Sequence, residues 1–149
     1  MRAVLQRVNC ASVKVQGRQI AEIGKGILAL IAVSREDTVA DLDWMAKKIV
    51  ELRIFEDSEG KLNLSMMDVD GELLLVSQFT LYGDCRKGRR PSYSEAAPPV
   101  EAQKLYEEFV RIMRRLVPGV QSGRFQAMMD VVLENYGPVT LILDSRRRS

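Results

Sequence analysis

The first half of the chain shows alternating, continuous and helical patterns of apolar residues, in that order. Apolar and polar residues alternate before and after a turn at 16–18, as in Val13-Lys14-Val15, which predicts a β-hairpin over 1–23. The continuous apolar run Ile27–Val33 has the length of a strand covered on both faces, so we expect it in the centre of a sheet. Helical spacing of apolar residues over 39–52 then predicts a helix that packs one face on that sheet.

The second half repeats these signals. Short strands are predicted at 53–56 and 62–64, and a buried strand at 73–76 that ends at Ser77. A second helix is predicted from Pro98-Pro99 to Leu116, because proline is tolerated in the first turn and Pro118-Gly119 follows.

Two further apolar stretches lie near the end of the chain. Alternation over 125–133 and an apolar run over 139–143 predict two strands. The short connection formed by residues 134–137 and Pro138 predicts that these strands make a terminal β-hairpin. The order of elements indicates an α/β fold with mixed β-sheets in layers and both main helices packed on one side.

Length and composition indicate one domain over residues 1–149, since 149 residues with 46% hydrophobic side chains are enough to bury one core. The longest apolar run is far shorter than a membrane span, and charge interrupts the first residues too early for a secretory signal. We therefore expect a cytoplasmic protein. Cys10 and Cys85 lack metal-binding spacing and are interpreted as inert thiols, and neither a metal nor a cofactor is expected.

The basic residues are clustered. Arg86, Lys87, Arg89 and Arg90 form one group and Arg146–Arg148 another; without these seven, 15 basic residues remain against 20 acidic ones. A mildly acidic body with two basic patches is typical of a protein that meets a polyanion at defined points. A solvated tail explains the second group equally well.

The chain contains no histidine, which excludes Ser-His-Asp and Cys-His nucleophilic catalysis. Two short segments remain as candidate sites. Ser77, Gln78 and Thr80 follow a buried strand, where hydroxyl, amide and backbone N–H groups are rigidly held and can stabilise an oxyanion. A capped turn before Gly83 explains the same residues. Gly137-Pro138 can present two carbonyl oxygens to a small ligand, or can be an ordinary turn, and its cis or trans state is open.

Three motifs in register resemble the D-aminoacyl-tRNA deacylases over essentially the whole chain. They are Ser-Gln-Phe-Thr-Leu at 77–81, Arg-Lys-Gly-Arg-Arg-Pro-Ser-Tyr at 86–93 and Asn-Tyr-Gly-Pro-Val-Thr at 135–140. The resemblance implies hydrolysis of the ester bond of D-aminoacyl-tRNA, and of glycyl-tRNA mischarged on tRNA(Ala), with rejection of L-aminoacyl-tRNA. It also implies a homodimer with the terminal hairpin at its interface, in which the Gly-cisPro dipeptide of one subunit enters the pocket of the other.

The same resemblance assigns roles to single residues. Gly137 and Pro138 would form the selectivity filter, Arg7 would brace it, and Met129 would line the pocket. Ser77, Gln78, Phe79 and Thr80 would form the catalytic floor, with the Phe79 N–H stabilising the oxyanion, and Arg86, Lys87, Arg89 and Arg90 would contact tRNA. Thr80 has no base to activate it, so the 2′-hydroxyl of the terminal adenosine is the simpler aid to water attack.

This sequence departs from the family pattern at four positions. Tyr136 stands where aspartate is common, Arg89 where asparagine is common, Gln126 where glycine is usual and Tyr93 where phenylalanine is usual. The alternatives to an enzyme are a non-catalytic tRNA-binding dimer and a dimeric scaffold whose Gly-Pro turn docks a partner. Release of D-tyrosine from D-Tyr-tRNA distinguishes them.

Overall fold

The computed structural model describes residues 1–146. Arg147 and Arg148 of the second basic group therefore lie outside the described residues. The helices are α1 (Val39–Glu51) and α2 (Pro99–Leu116), with a short 3₁₀ helix at Phe79–Tyr82. The strands are β1 (Arg2–Val15), β2 (Arg18–Ile23), β3 (Gly26–Ala32), β4 (Phe55–Glu56), β5 (Leu62–Leu64), β6 (Glu72–Ser77), β7 (Gln121–Ser122) and β8 (Asp130–Asp144).

The main sheet is mixed and is organised by the long strand β1. The strand order is β2-β1-β3-β6-β7, and β8 pairs with β1 on its other side. The β3–β6 and β6–β7 pairs are parallel, whereas β1 pairs antiparallel with β2, β3 and β8. β3 thus lies inside the sheet, as its apolar run predicts, and β4 and β5 form a separate two-stranded sheet.

Strand alternation divides the core into two layers. Ile27, Ala29 and Ile31 of β3 face a cluster that contains the buried stripes of both helices. Leu28 of β3 faces a second cluster with Ala21 and Ile23 of β2. The predicted α/β fold with both helices on one side is therefore confirmed, with the β1–β2 hairpin as the layer on the opposite face.

Local signals position the two helices. Thr38 caps α1 with a capping box, in which the Asp41 carboxylate accepts the Thr38 backbone N–H at 2.9 Å. Proline at the first position of α2 has no backbone N–H, so one donor of the first turn needs no acceptor.

The predicted terminal hairpin is wrong. Both apolar stretches belong to the single strand β8, which runs antiparallel to β1 with Gln6 opposite Thr140 and Val8 opposite Asn135. Residues 136–139 stand opposite Arg7 alone and bulge out of the ladder. The alternation identified a half-buried strand, but β1 is long enough to pair with both stretches. The strand predicted from Phe125 begins at Asp130, because 125–127 form a turn with a positive φ of 61° at Gln126.

A buried polar group joins the start of the chain to its end. The Met1 α-ammonium lies 2.7 Å from the Asp37 carboxylate and donates to Ser145 Oγ at 2.9 Å. Ser145 Oγ donates in turn to Asp41 at 2.7 Å. These contacts pin β1, the start of α1 and the end of β8 together.

Neither of the two helices found within residues 1–146 combines the length and the apolar character that crossing a lipid bilayer requires.

Candidate active site

A cavity of about 830 Å³ opens where β3 and β6 end. Because these strands are parallel, their carboxyl ends lie at the same edge of the sheet. The walls are formed by the ends of β3 and β6, the start of α2 and the turn that precedes β8. Ser77, Gln78, Phe79 and Met129 all line this cavity.

The segment after β6 is held by its backbone. The Gln78 N–H donates to the Ile31 carbonyl at 2.7 Å, and Phe79 then begins the 3₁₀ helix. The first N–H groups of a helix have no acceptor within it, so the Phe79 N–H remains available to a ligand. The Phe79 ring is 55% exposed and packs edge-on against Tyr93 at 5.0 Å between centroids.

Thr80 does not line the cavity. Its Oγ1 accepts a hydrogen bond from the Gln78 side-chain amide. An amide N–H cannot take a proton from a hydroxyl, and the chain has no histidine. The geometry therefore supplies no general base for a threonine nucleophile.

Tyr106 of α2 connects elements that contribute to the cavity wall. Its hydroxyl contacts the Leu75 carbonyl at 3.2 Å and Ser122 Oγ at 2.7 Å, and its ring lies 6.0 Å from that of the wall residue Phe125. Burial raises the pKa of Tyr106 to about 12, because the phenolate would lose its hydration. The hydroxyl thus stays protonated and joins α2, β6 and β7.

The second candidate segment forms the tip of the β8 bulge. The Gly137–Pro138 peptide bond is cis, Gly137 has a φ of 120°, and both residues are exposed. Asn135 stabilises the base of the bulge, because its Nδ2 donates to the Arg7 carbonyl at 3.0 Å and to the Val139 carbonyl at 2.9 Å.

Arg7 lies beneath this tip and is only 3% exposed. Its Nε donates to the Tyr136 carbonyl at 3.0 Å and its Nη1 to the Ile54 carbonyl at 2.8 Å. Glu56 lies 3.8 Å from Nη2, and the Tyr136 ring stacks 4.7 Å from the guanidinium. The tip is therefore a braced element of the structure.

Within one chain the two candidate segments are separate. Gly137, Pro138 and Arg7 are absent from the wall of the cavity, whereas Ser77, Gln78, Phe79 and Met129 form part of it. A single chain thus brings the cavity residues together and presents the tip outward.

The first basic group lies on a loop closed by reciprocal backbone hydrogen bonds between Asp84 and Ser92. Arg86 pairs with the Asp84 carboxylate at 2.7 Å and holds the pKa of that carboxyl at about 2. In residues 1–146, Lys87, Arg89 and Arg90 have no carboxylate within ion-pair distance. Arg146 of the second group pairs with Glu36 at 3.2 Å.

The part of the chain that the structure describes holds no cluster of three His, Cys, Asp or Glu side chains that could bind a metal ion. Cys10 and Cys85 are both free, exposed thiols.

Three residues at the cavity and the tip received no role from the sequence. Arg35 and Tyr93 line the cavity, and Asn135 fastens the tip. The sequence carries a weak indication for Asn135, because the side chain of an asparagine next to a turn often forms hydrogen bonds with nearby backbone groups. Arg35 carries no local signal, because its place at the cavity follows from tertiary contacts.

Comparisons with known proteins agree with one another. Residues 4–144 match the family model described as D-Tyr-tRNA(Tyr) deacylase. A D-aminoacyl-tRNA deacylase of Desulfatibacillum aliphaticivorans is 60% identical over 146 residues, covering 98% of this chain and 100% of the relative. One of Thermosipho africanus is 56% identical over 147 residues, covering 99% of each.

Two solved structures share the fold. The c-Myc DNA unwinding element binding protein superposes with a TM-score of 0.92 at 44% identity, over 97% of this chain and 98% of that one. A probable eukaryotic D-amino acid tRNA deacylase superposes with a TM-score of 0.83 at 20% identity, over 95% of this chain and 97% of that one.

Proposed function

The chain belongs to the D-aminoacyl-tRNA deacylase family, and we propose that it hydrolyses the ester bond of D-aminoacyl-tRNA, rejecting the L-isomer, at a site completed by a second copy of the chain. The whole chain acts as one domain in the cytoplasm, where aminoacyl-tRNA is used. The observation that carries this proposal is the cavity at the end of β6. Its wall is largely apolar, and Ser77, Gln78 and the Phe79 backbone supply polar groups on rigid support.

The reaction is a hydrolysis positioned by these groups. Water attacks the ester carbonyl, the acyl C–O bond breaks, and the proton passes to the ribose oxygen that leaves. The Phe79 N–H stabilises the negative charge that develops on the carbonyl oxygen. The 2′-hydroxyl of the terminal adenosine assists the water, because Thr80 has no general base beside it.

Chirality is read by the Gly137-Pro138 tip of the partner copy. The two carbonyl oxygens of the tip accept hydrogen bonds from the substrate α-ammonium and leave no space for an L side chain. Discrimination by exclusion needs a rigid element. Arg7 keeps the tip rigid, because it lies beneath the tip and donates hydrogen bonds to the Tyr136 and Ile54 carbonyls. Met129 lines the pocket, and glycine has no side chain to exclude, so glycyl-tRNA mischarged on tRNA(Ala) is also hydrolysed.

A homodimer is supported by the outward position of the tip and by the surface of β8. This strand lies at the edge of the sheet and exposes Val132 and Ile142, which are 52% and 78% exposed. A long apolar edge strand needs a partner. The basic loop contacts the tRNA through Lys87, Arg89 and Arg90, and Arg86 contributes less because Asp84 neutralises it.

The activity is tested with purified protein and D-Tyr-tRNA, L-Tyr-tRNA and glycyl-tRNA(Ala). We expect the D-isomer and the glycyl ester to be hydrolysed and the L-isomer to be spared. Binding of tRNA without any hydrolysis would instead support the non-catalytic tRNA-binding dimer.

The shared site is tested by mixing two inactive variants. Ala127→Trp fills the cavity, and Gly137→Ala displaces the tip. In a mixed dimer one site carries both changes and the other carries neither, so unfolding and refolding an equimolar mixture should restore about one quarter of wild-type activity. A tip that acts on the cavity of its own chain would restore nothing.

A further inference from the structure

One cationic side chain lies on the wall of the cavity. Arg35, three residues after the end of β3, is the sole Lys or Arg among the residues that line it within 1–146. The remaining polar side chains of the wall, such as Ser77 and Gln78, are uncharged. A single positive charge on such a wall indicates a ligand with a negative charge at that point.

The Arg35 side chain is held in place by neutral backbone groups. Its Nε donates to the Ser94 carbonyl at 2.9 Å, and its backbone N–H donates to the Glu95 carbonyl at 3.3 Å. A bridge between Ser34 and Ala96 continues the same connection. The guanidinium is therefore oriented by one nitrogen, which leaves the two Nη groups to bind something else.

Among residues 1–146, Arg35 makes no ion pair, although it also lines a neighbouring pocket with Glu36, Glu95 and Asp144. Across the described range 1–146, no carboxylate lies within ion-pair distance of Arg35. Its neighbour Glu36 pairs with Arg146 at 3.2 Å, and Glu95 is exposed. Arg7 and Arg86, in contrast, have carboxylates beside them within the chain.

Arg35 is also connected to the basic loop. The chain passes from the loop that carries Lys87, Arg89 and Arg90 to Tyr93 on the cavity wall, and then to Ser94, which holds Arg35. One continuous stretch thus joins the exposed cations to the charged point of the wall.

We propose that Arg35 binds the phosphate group of the terminal nucleotide of tRNA, next to the aminoacylated ribose in the cavity. This inference rests on the proposed function, since an aminoacyl ester in the cavity carries its ribose, and then its phosphate, out through the mouth. The fork of two Nη groups matches two phosphate oxygens. Such a contact fixes the register of the substrate and takes no part in the chemistry, so Arg35 is a substrate-binding residue.

The test compares substrates with and without the phosphate. D-tyrosyl esters of tRNA, of adenosine 5′-monophosphate and of adenosine are hydrolysed by wild type, Arg35→Gln, Arg35→Lys and the control Lys104→Gln, an exposed lysine outside the cavity wall. We expect Arg35→Gln to lower kcat/KM roughly 10- to 100-fold on both phosphate-bearing esters, through KM, and to leave the adenosine ester unchanged. Arg35→Lys should lose less, since the charge remains and only the fork is lost.

Other outcomes would overturn the inference. Equal losses on all three esters would show a structural role, and no loss on the tRNA ester would show no phosphate contact. Weaker inhibition by free D-tyrosine in Arg35→Gln, with KM for D-Tyr-tRNA unchanged, would assign Arg35 to the product carboxylate instead.

A binding measurement separates this inference from the proposed function. Calorimetric titration should show that wild type binds adenosine 5′-monophosphate more tightly than adenosine, and that Arg35→Gln binds both alike. If wild type hydrolyses no ester but keeps this preference, the proposed function fails and the phosphate site stands. If wild type hydrolyses D-Tyr-tRNA and shows no preference, the phosphate site fails alone.

Discussion

Replacing Gly137 by alanine tests the claim that the tip is a rigid, braced element. A β-carbon at this position would overlap the Arg7 guanidinium and lie 3.1 Å from Val139 Cγ2. The Gly137 φ of 120° is also a backbone conformation that side-chain-bearing residues rarely adopt. The added methyl group thus meets both a conformational and a packing penalty.

The size of the effect follows from those two terms. A strained backbone conformation costs about 1–3 kcal/mol. Overpacking against a buried neighbour costs a further 1–3 kcal/mol or so. Alanine also lowers the conformational entropy of the unfolded chain, which adds about 0.4–1 kcal/mol to the free energy of unfolding. We therefore expect the free energy of unfolding to fall by about 1–5 kcal/mol. The packing contribution should be near its full size, because Arg7 is 3% exposed and cannot move into solvent freely.

Gly60→Ala is the matched control. Gly60 also has a positive φ, of 77°, but a β-carbon there would meet no atom within 4 Å. It should cost about 1 kcal/mol or less, from backbone strain alone. Urea denaturation of both variants gives the difference, which reports the contacts with Arg7 and Val139 together with the greater strain of a φ of 120°.

Activity provides the second measurement. Under conditions where both variants are folded, Gly137→Ala should lose hydrolysis of D-Tyr-tRNA while Gly60→Ala keeps it. Equal loss of stability in the two variants would refute the claim that Arg7 braces the tip. A destabilised Gly137→Ala enzyme with full activity and unchanged discrimination would refute the role of the tip in selectivity.

Three further predictions concern stability. Asp37→Asn should lower the free energy of unfolding, measured in urea, by about 3–5 kcal/mol, because it leaves the buried Met1 ammonium without its charge partner. The control Glu59→Gln breaks an exposed pair with Lys61 and should change the free energy of unfolding by less than about 0.5 kcal/mol. Gln126→Gly should raise the free energy of unfolding by about 0.5–1 kcal/mol, because it relieves the positive φ of 61° at the cavity turn. The measurement is a higher urea midpoint with an unchanged m-value, and a lower midpoint would contradict the prediction. The pKa of Tyr106 is raised in the folded state to about 12, so its stabilising contribution is complete below pH 10 and is lost as the pH rises from 10 to 12. Tyr106→Phe should remove roughly 2–3 kcal/mol of the stability loss measured between pH 8 and pH 12, and an unchanged pH dependence would disprove the assignment.

The sequence predicted most of the regular elements because their periodicity is local. The apolar runs at β3 and β6 and the helical stripes of α1 and α2 are written in neighbouring residues. The cavity residues Ser77 to Phe79 were also recognisable, since polar groups directly follow a buried strand. The cis state of Gly137–Pro138, in contrast, was open from the sequence and is visible in the structure.

The partner of β8 was mispredicted for a physical reason. Alternation reports that a strand has one buried face, and it carries no information on which strand lies beside it. A short connection favours a hairpin, but here residues 136–139 bulge and β1 pairs on both sides of them. Long-range pairing thus prevailed over local connection length.

By itself the sequence determined most of the strand and helix segments, the absence of histidine chemistry and the three motifs that carry the family resemblance. Tertiary structure alone decided that Tyr106 ties α2 to β6 and β7 and that Arg35 lines the cavity. Local patterns are set by a residue's neighbours in the chain. Contacts between distant side chains depend on sheet register and packing, which are settled only when the whole chain folds.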